Sequence, residues 1–258
     1  MTHDPILAVR GLTKTFGPNP AVDGIDFRVW EGEIFGFLGP NGAGKTTTIN
    51  MLTGLARPTS GSIFFNGTDY TSDIKKAQET IGVVPDESNL YEEMDGFDNL
   101  CFCASLYGIK KAEREQRARN LLEQFNLAEA GKKPYKSYSK GMKRKLTIAA
   151  GIIHQPNILF LDEPTTGIDV ASARQIRALI KSLNETGTTI FMTTHYIEEA
   201  ERLCHRIAFI VKGEIIKIGA MQDLMEDAQK EKIIQFSFDG TVQLDQFEQD
   251  FCRQFSPC

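Results

Sequence analysis

The chain has 258 residues, of which 41% are hydrophobic and 24% are charged, a composition typical of an ordinary globular protein. No apolar run approaches the roughly 20 residues of a membrane-spanning helix, and we expect no signal peptide. The net charge is −5 and no basic arm or stripe is present, so we expect no nucleic-acid partner. Five cysteines without a CxxC pair indicate free thiols in a reducing cytoplasm.

Patterns of apolar residues predict strands towards both ends of the chain and helices in its middle. The predicted strands are 6–10, 26–29, 33–38, 61–66, 81–85, 158–163, 188–195, 206–211 and 214–218. The predicted helices are 45–55, 97–109, 113–127, 140–155 and 170–184. We therefore expect an α/β fold in which a helical insertion, about 87–156, divides a strand-rich core.

The sequence GPNGAGKTT at 39–47 lies between a predicted strand and a predicted helix. It fits the pattern G-x-x-x-x-G-K-[ST], whose backbone amides and helix N-terminus bind phosphate. In this pattern Lys45 reaches the β- and γ-phosphates of a nucleotide, and the Thr46 hydroxyl ligates Mg²⁺. The alternative is a glycine-rich turn that matches by chance, which the flanking strand and helix disfavour.

The sequence ILFLDEP at 158–164 supplies the acidic residues that such a phosphate loop needs. Its apolar residues predict a buried strand that brings Asp162 to its end, where the carboxylate can hold Mg²⁺ through water. Glu163 follows and is a candidate to orient or deprotonate an attacking water. His195 ends another predicted strand, at the edge where α/β sheets bind ligands. We therefore expect Glu163 and His195 to be catalytic.

Five motifs in this order resemble the ATP-binding cassette (ABC) family of transporter ATPases. They are GPNGAGKTT (39–47), YSKGM (138–142), ILFLDEP (158–164), TGID (166–169) and TTH (193–195). The resemblance covers about 5–220 and implies a P-loop NTPase with a RecA-like core, an antiparallel β subdomain and an α-helical insertion. It implies a nucleotide-binding domain over 1–220 and a short acidic C-terminal extension over 221–258.

The resemblance also implies ATP and Mg²⁺ as cofactors and the residues that contact them. The expected nucleotide contacts are Phe16, Val22, Asn41, Gly42, Ala43, Gly44, Lys45, Thr46, Thr47, Asp86, Ser139, Gly141 and Met142. The expected metal contacts are Thr46, Asp86 and Asp162. Phe16 matches a family aromatic that stacks on adenine, with Val22 in support, and core packing of Phe16 is the alternative.

Cassettes of this family sandwich two ATP molecules between two copies, so the resemblance implies a second cassette, and we expect a homodimer. Ser139, Gly141 and Met142 of one subunit would then face the γ-phosphate held by the other. The second implied partner is an integral membrane permease that contacts the region of Tyr91 and Met94. The expected location is therefore the cytoplasmic face of the cell membrane.

Two positions depart from the family pattern. Lys140 replaces the first of two adjacent glycines in the signature loop, a substitution that resembles the drug- and polysaccharide-exporter ATPases. Asp86 stands where the family generally has a glutamine that touches Mg²⁺ and links the nucleotide to the permease. Asp86 keeps an oxygen ligand but is shorter and charged, so metal binding through water and loss of that contact are both open.

The sequence favours an ATP-binding and ATP-hydrolysing subunit that powers a membrane transporter, and an exporter with a separate permease over an importer. A non-transport ABC protein is disfavoured, because paired cassettes, long coiled coils and basic arms are absent from the sequence. A small-molecule P-loop kinase would leave YSKGM and TTH without a role. A protein that binds ATP without turnover is disfavoured by the presence of Glu163 and His195.

Overall fold

The structure is a computed structural model that describes residues 5–230, with side chains described as far as residue 226. The chain divides into two compact units, Met1–Gln222 and Asp223–Cys258, and the candidate site lies in the first. The strands are β1 (Leu7–Thr15), β2 (Pro20–Val29), β3 (Ile34–Leu38), β4 (Ser60–Phe65), β5 (Thr68–Asp69), β6 (Ile81–Val84), β7 (Ile158–Leu161), β8 (Thr189–Thr194), β9 (Arg206–Val211) and β10 (Glu214–Ala220). The helices are α1 (Lys45–Leu52), α2 (Lys75–Gln78), α3 (Gly96–Leu106), α4 (Lys111–Gln124), α5 (Lys140–Ile152), α6 (Val170–Glu185), α7 (Ile197–Leu203) and α8 (Met221–Lys230).

Within the described residues, a six-stranded sheet has the order β10-β9-β3-β8-β7-β6, and all its pairs except β9–β10 are parallel. Strands β3, β7 and β8 are buried along their whole length, as expected for a sheet covered on both faces. Their carboxyl ends meet at one edge of the sheet. The glycine loop follows β3, Asp162 follows β7 and His195 follows β8, so the fold gathers these residues at that edge.

A second, antiparallel sheet has the order β2-β1-β4-β5 among the described residues. The predicted strands 6–10 and 26–29 are too short, because β1 continues to Thr15 and β2 already begins at Pro20. The register between these two strands shifts after Val9 and again after Leu12. Such bulges break the two-residue alternation of apolar side chains from which strands are predicted.

Aromatic rings fill the space between the two sheets. The Phe191 ring on β8 lies with its centroid 5.4–5.8 Å from the rings of Phe27, Phe35, Phe37 and Phe160. Phe27 belongs to the antiparallel sheet, and the other rings belong to the parallel sheet. Tilted and edge-on rings at this spacing pack favourably, so the cluster joins the sheets through one continuous core.

Helices α3, α4 and α5 lie between β6 and β7 in the sequence. The fully buried Asn99 side chain on α3 fixes the preceding loop. Its Oδ1 accepts the Tyr91 N–H at 2.9 Å, and its Nδ2 donates to the carbonyl oxygens of Tyr91, Met94 and Asp95. Tyr91 is 54% exposed, so this loop holds an exposed aromatic ring on a fixed backbone.

Other differences from the predicted elements occur at short or interrupted helices. The helix predicted over 45–55 ends at Leu52, because Gly54 adopts a φ of 80°, which ends the helical path. The structure adds α2, with 4 residues, and α7, with 7 residues, which the sequence pattern did not indicate. Helices of one or two turns contain too few residues to show a 3.6-residue period.

His154 joins three parts of the fold. Its ring stacks on Tyr107 at a centroid distance of 3.7 Å, and its Nε2 lies 2.9 Å from the Ile81 carbonyl oxygen. Its Nδ1 is buried and has no hydrogen-bond partner in the part of the chain that the structure describes. Burial lowers the pKa of His154, and the positive charge of Arg117 acts in the same direction.

Replacement of Phe191 by alanine should strongly destabilise the protein. The ring is fully buried in the centre of the aromatic cluster, so its removal should lower the free energy of unfolding by about 3–5 kcal/mol. Urea unfolding followed by circular dichroism measures this loss. Leu55→Ala is the control, because Leu55 is 70% exposed and should change stability by less than about 0.5 kcal/mol. Equal effects of the two variants would contradict this account of the core.

His154 should make the stability of the protein depend on pH. Because the folded-state pKa of His154 is lowered, the unfolded chain takes up a proton near its ordinary pKa of about 6.5 while the folded chain does not. The free energy of unfolding should therefore fall as the pH is lowered from about 7.5 to about 5.5. His154→Gln removes this proton uptake and should flatten the fall, as measured by urea midpoints across the range. Parallel curves for the two proteins would contradict the prediction.

Candidate active site

The glycine loop after β3 is held by close contacts between backbone segments. A Cβ added to Gly39 would lie 2.2 Å from the Ile210 carbonyl oxygen, and one added to Gly44 would lie 2.5 Å from the Ala21 carbonyl oxygen. Gly44 also has a φ of 106°, which side-chain-bearing residues rarely adopt. These glycines bring the chain directly into α1, whose first turn carries no acidic residue.

Lys45 begins α1, and its ammonium group lies inside the loop. Only 6% of the residue is exposed. Its Nζ donates to the carbonyl oxygens of Gly39 at 2.7 Å and Pro40 at 3.1 Å. The same Nζ lies 3.2 Å from Glu163 Oε1, at the end of a different strand. Lys45 therefore joins the glycine loop to the acidic residues after β7.

Asp162 and Glu163 follow β7, and Thr193 on the neighbouring strand β8 holds both. The Thr193 hydroxyl donates to Asp162 Oδ1 and accepts the N–H of Glu163 at 3.1 Å. Glu163 has a φ of 47°, in the left-handed region that residues other than glycine seldom occupy. Its carbonyl oxygen accepts hydrogen bonds from the Thr166 N–H and from Arg144, so both ends of this strained residue are fixed.

The Glu163 carboxylate is the centre of the site, and the residue is only 8% exposed. Its Oε1 faces Lys45, while its Oε2 lies 2.8 Å from His195 Nδ1 and accepts the Thr166 hydroxyl at 3.0 Å. Buried charges require such partners, because water no longer solvates them. The arrangement places a cation, a carboxylate and an imidazole within direct contact, which suits proton transfer and the binding of an anion.

The signature segment YSKGM lies at the start of α5. Ser139 caps this helix, with its hydroxyl accepting the Met142 N–H at 3.3 Å. A Cβ added to Gly141 would lie 2.4 Å from the Ser172 hydroxyl oxygen, so Gly141 is required by the close approach of α5 and α6. Ser139 and Lys140 are exposed. Within residues 5–230, the polar contacts of this segment do not include the glycine loop.

Asp86 pairs with Arg144 in the structure. The Arg144 guanidinium, 7% exposed, donates to the carbonyl oxygens of Pro85 at 2.7 Å and Asp86 at 2.9 Å, and contacts Asp86 Oδ1 at 3.3 Å. Its third partner is the Glu163 carbonyl oxygen, also at 3.3 Å. Burial lowers the pKa of Arg144 while the charge of Asp86 raises it, and the guanidinium remains charged. Arg144 thus links α5, the Asp86 segment and Glu163.

The remaining candidate residues occupy two different environments. Phe16 is 70% exposed, with the Lys14 ammonium 4.9 Å from its ring centroid, so the core-packing alternative is wrong. Val22 is fully buried and packs beneath Gly44, so it supports the loop from within. Around the loop, Asn41, Gly42 and Thr46 are exposed, Thr47 is half-buried and Ala43 is buried.

The structure brings Lys45, Asp162, Glu163 and His195 together, as the motifs predicted. Sequence reasoning did not identify the residues that orient them, which are Thr166, Thr193 and Arg144. The two threonines belong to the motifs TGID and TTH, and their place in these motifs was the available signal. Arg144 gave none, because its partners are mainly backbone carbonyl oxygens that lie far away in the sequence.

Comparison of the sequence with known proteins gives consistent matches. The family model described as ABC transporter matches residues 22–166. The linearmycin resistance ATP-binding protein LnrL of Bacillus subtilis is 42% identical over 235 residues, covering 91% of this chain and 76% of that protein. The daunorubicin/doxorubicin resistance ATP-binding protein DrrA of Streptomyces peucetius is 41% identical over 226 residues, covering 87% and 68%. The Nod factor export ATP-binding protein I of Ralstonia nicotianae is 40% identical over 221 residues, covering 86% and 69%.

Comparison of the fold with solved structures agrees with these matches. The structure of cbiO1 from Clostridium perfringens, part of the ABC transporter complex cbiONQ, has a TM-score of 0.80 and 28% identity and covers 88% of this chain and 93% of that one. A structure described as an ATP binding subunit of an ABC transporter has a TM-score of 0.78 and 27% identity and covers 95% and 98%. Between residues 5 and 230, no helix combines the length and the apolar character needed to cross a membrane.

Proposed function

The chain belongs to the ABC transporter family, and on that premise we propose that it is the ATP-hydrolysing subunit of a membrane exporter with a separate permease. One observation carries the proposal. The buried Glu163 carboxylate contacts both the Lys45 ammonium of the glycine loop and the His195 ring. An ATPase must bring together these three functions, namely a phosphate-binding cation, a base and a group that orients the reactants.

The nucleotide phosphates would lie over the glycine loop, at the N-terminus of α1 and near Lys45. The positive end of a helix and inward-facing amides favour this position for an anion. The exposed ring of Phe16 is available to stack on the base, and Val22 supports the loop from beneath. We assign the remaining nucleotide contacts of the loop to Asn41, Gly42, Ala43, Gly44, Thr46 and Thr47.

A magnesium ion fits the residues at the same edge of the sheet. Mg²⁺ prefers hydroxyl, carboxylate and phosphate oxygens, and it usually binds through one or two carboxylates together with substrate phosphates. The exposed hydroxyl of Thr46 and the carboxylate of Asp162 provide such oxygens. When bound, Mg²⁺ would neutralise charge on the transferred phosphoryl group. We do not assign Asp86 to the metal, because the ion pair that it makes is with Arg144.

Glu163 would act as the general base for the attacking water. Its backbone is left-handed, and its carboxylate contacts Lys45 and His195. His195 would hold the carboxylate in position and reach the γ-phosphate through its other ring nitrogen. Thr193 and Arg144 keep the Glu163 backbone in the conformation that this role requires.

A second cassette would complete the site. We propose a homodimer in which Ser139, Gly141 and Met142 of one copy approach the nucleotide of the other. The exposed Ser139 at the N-terminus of α5 supports this arrangement, because a helix N-terminus with a free surface favours anions. Lys140, also exposed, adds a positive charge to the same surface.

The permease would contact the surface near Asp86 and α3. A groove of about 520 Å³ lies beside Asp86, lined by residues that include Asp86, Leu90 and, on α5, Lys143. Tyr91 presents an exposed ring on the loop that Asn99 fixes. We propose that the chain lies at the cytoplasmic face of the membrane. We propose 1–220, with the helical insertion about 87–156, as the nucleotide-binding domain, and 221–258 as an acidic extension.

The direction of transport is proposed from the relatives. The proteins similar to this chain are named for resistance to linearmycin and to daunorubicin and doxorubicin, and for the export of Nod factor. Each of these names describes removal of, or protection from, a compound. We therefore propose that this chain powers export, with the cargo selected by the permease.

Lys45→Ala should greatly weaken nucleotide binding. The variant loses the buried ammonium group that faces the phosphates, and its affinity for ATP should fall about 100-fold, equivalent to about 2.7 kcal/mol. Titration calorimetry with ATP and the full chain measures this change. Lys111→Ala is the control, because the Lys111 side chain is 81% exposed on α4. An unchanged affinity in Lys45→Ala would contradict the assignment of the phosphate loop.

Glu163→Gln provides the test of the proposed function. The amide keeps the shape of the side chain but cannot accept the proton of water, so the variant should bind ATP and lose turnover. The tagged variant is extracted from native membranes in mild detergent with Mg-ATP, and co-purifying proteins are identified by mass spectrometry. We expect a second copy of the chain and a multi-helix membrane protein in stoichiometric amount.

Three outcomes would contradict the proposal. Hydrolysis of ATP by Glu163→Gln at the wild-type rate would show that Glu163 is not the base. Ribosomal or DNA-associated proteins without a membrane partner would overturn the transport role. A membrane partner that carries its cargo inward in reconstituted vesicles would overturn the direction. The Lys45→Ala variant, prepared in the same way, shows which partners depend on bound nucleotide.

A further inference from the structure

Glu199 is a buried carboxylate to which the proposed reaction gives no role. It lies on α7 and is 4% exposed. Within residues 5–230 it forms no ion pair with a cation. Its two oxygens instead accept hydrogen bonds from two threonine hydroxyls, Oε1 from Thr165 at 2.6 Å and Oε2 from Thr194 at 2.8 Å. The Thr165 distance falls in the short range typical of hydrogen bonds to a carboxylate, and the Thr194 distance is an ordinary one.

These two threonines stand next to the central residues of the site. Thr165 lies two residues after Glu163, and Thr194 immediately precedes His195. Glu199 therefore joins the segment that carries the proposed base to the segment that carries the histidine. The side chains of Glu163 and His195 themselves meet at 2.8 Å. Glu199 thus binds a threonine side chain in each of the two segments that carry this contact.

Comparison with Glu198 shows that a place in the first turn of α7 does not by itself explain why the Glu199 side chain is buried. Glu198 also lies in the first turn of α7, where the helix dipole favours an acid. Its side chain is 86% exposed and lies 3.8 Å from Arg202. Glu199 instead faces inward, where an unpaired carboxylate is costly unless its hydrogen bonds are specific. An apolar side chain would fill the same space without joining the two segments.

The hydrogen bonds of Thr193 and Thr194 restrict movement of the end of β8 relative to the segment after β7. Thr194 donates its hydroxyl proton to Glu199 and accepts the N–H of Tyr196 at 3.1 Å, so its hydroxyl is used in both directions. The preceding residue, Thr193, holds the Glu163 N–H. Three successive residues, Thr193, Thr194 and His195, are thereby connected to the segment after β7, and Glu199 mediates the central connection.

We propose that Glu199 is a positioning residue for ATP hydrolysis, which sets the separation of Glu163 and His195 through Thr165 and Thr194. The inference rests on the proposed function, since it concerns the geometry of the same reaction. Glu199 does not touch the reacting atoms. Its removal should therefore slow the chemical step and leave nucleotide binding at the glycine loop intact, because a loss confined to kcat identifies an interaction that matters in the transition state.

The test compares Glu199→Gln with Glu198→Gln in the full chain, assayed together with its co-purified membrane partner. Gln has the same length as Glu, but its amide nitrogen cannot accept the threonine hydroxyl. We expect kcat to fall about tenfold in Glu199→Gln, with the KM for ATP and the ATP affinity within about twofold of wild type. Glu198→Gln should match wild type in all three quantities.

A double-mutant cycle separates positioning from general weakening of the fold. Thr165→Val removes one of the two hydrogen bonds and keeps the shape of the side chain, so it should lower kcat by about fivefold on its own. In the Glu199→Gln background it should cost less than about twofold, because the contact is already lost. Thr165→Val also decides the question if Glu199→Gln does not fold.

Several results would overturn the inference. A kcat within twofold of wild type in Glu199→Gln would overturn it. A loss of ATP affinity in Glu199→Gln as large as the loss of kcat would also overturn it. So would a double-mutant cycle in which the effects of Glu199→Gln and Thr165→Val on kcat are fully additive. If Glu199→Gln does not fold, a wild-type kcat in Thr165→Val would do so. A wild-type protein that does not hydrolyse ATP would overturn the proposed function and this inference together. An active wild type with unaffected variants would overturn the inference alone.

Discussion

The rest of the structure depends on one contact, the buried Glu163 carboxylate shared between the Lys45 ammonium and the His195 ring. A buried carboxylate is tolerated only when its partners are fixed in place. These partners come from the segments after β3 and β8, and Glu163 comes from the segment after β7. The three strands are neighbours in one parallel sheet, in the order β3-β8-β7, and the aromatic cluster around Phe191 holds this sheet to the antiparallel one.

Hydrogen bonds to the backbone of Glu163 also connect the site to the helical insertion. Its left-handed conformation is maintained from one side by Thr193 on β8 and from the other by Arg144 on α5. Arg144 in turn holds the backbone of Asp86, which lines the groove between the Asp86 segment and α5. The backbone carbonyl oxygen of Glu163 and the Asp86 segment, which belongs to the surface proposed for the permease, are therefore two contacts of a single guanidinium.

The sequence predicted the chemically active residues of the site better than it predicted the strands, helices and buried side chains that hold them in place. GPNGAGKTT and ILFLDEP indicated Lys45, Asp162 and Glu163, because phosphate and metal chemistry allow few residue types at a fixed spacing. The extent of β1, by contrast, depends on pairing with β2 across bulges, and α7 is too short to show a period. The inward orientation of Glu199 is equally absent from the sequence, since its neighbour Glu198 has the same chemistry and faces solvent. Such features are set by packing between segments that lie far apart in the chain.

The ion pair between Lys45 and Glu163 has a consequence for the strength of nucleotide binding. Glu163 acts as an intramolecular counter-ion for the ammonium group, so a triphosphate bound at Lys45 as proposed would have to displace a partner that the protein already supplies. Loss of this pair would offset part of the attraction between Lys45 and phosphate, and it would thereby moderate the affinity for nucleotide. The same exchange would free Glu163 Oε1 when the nucleotide binds. Occupancy of the loop and release of the Glu163 carboxylate from Lys45 would thus be two sides of one equilibrium.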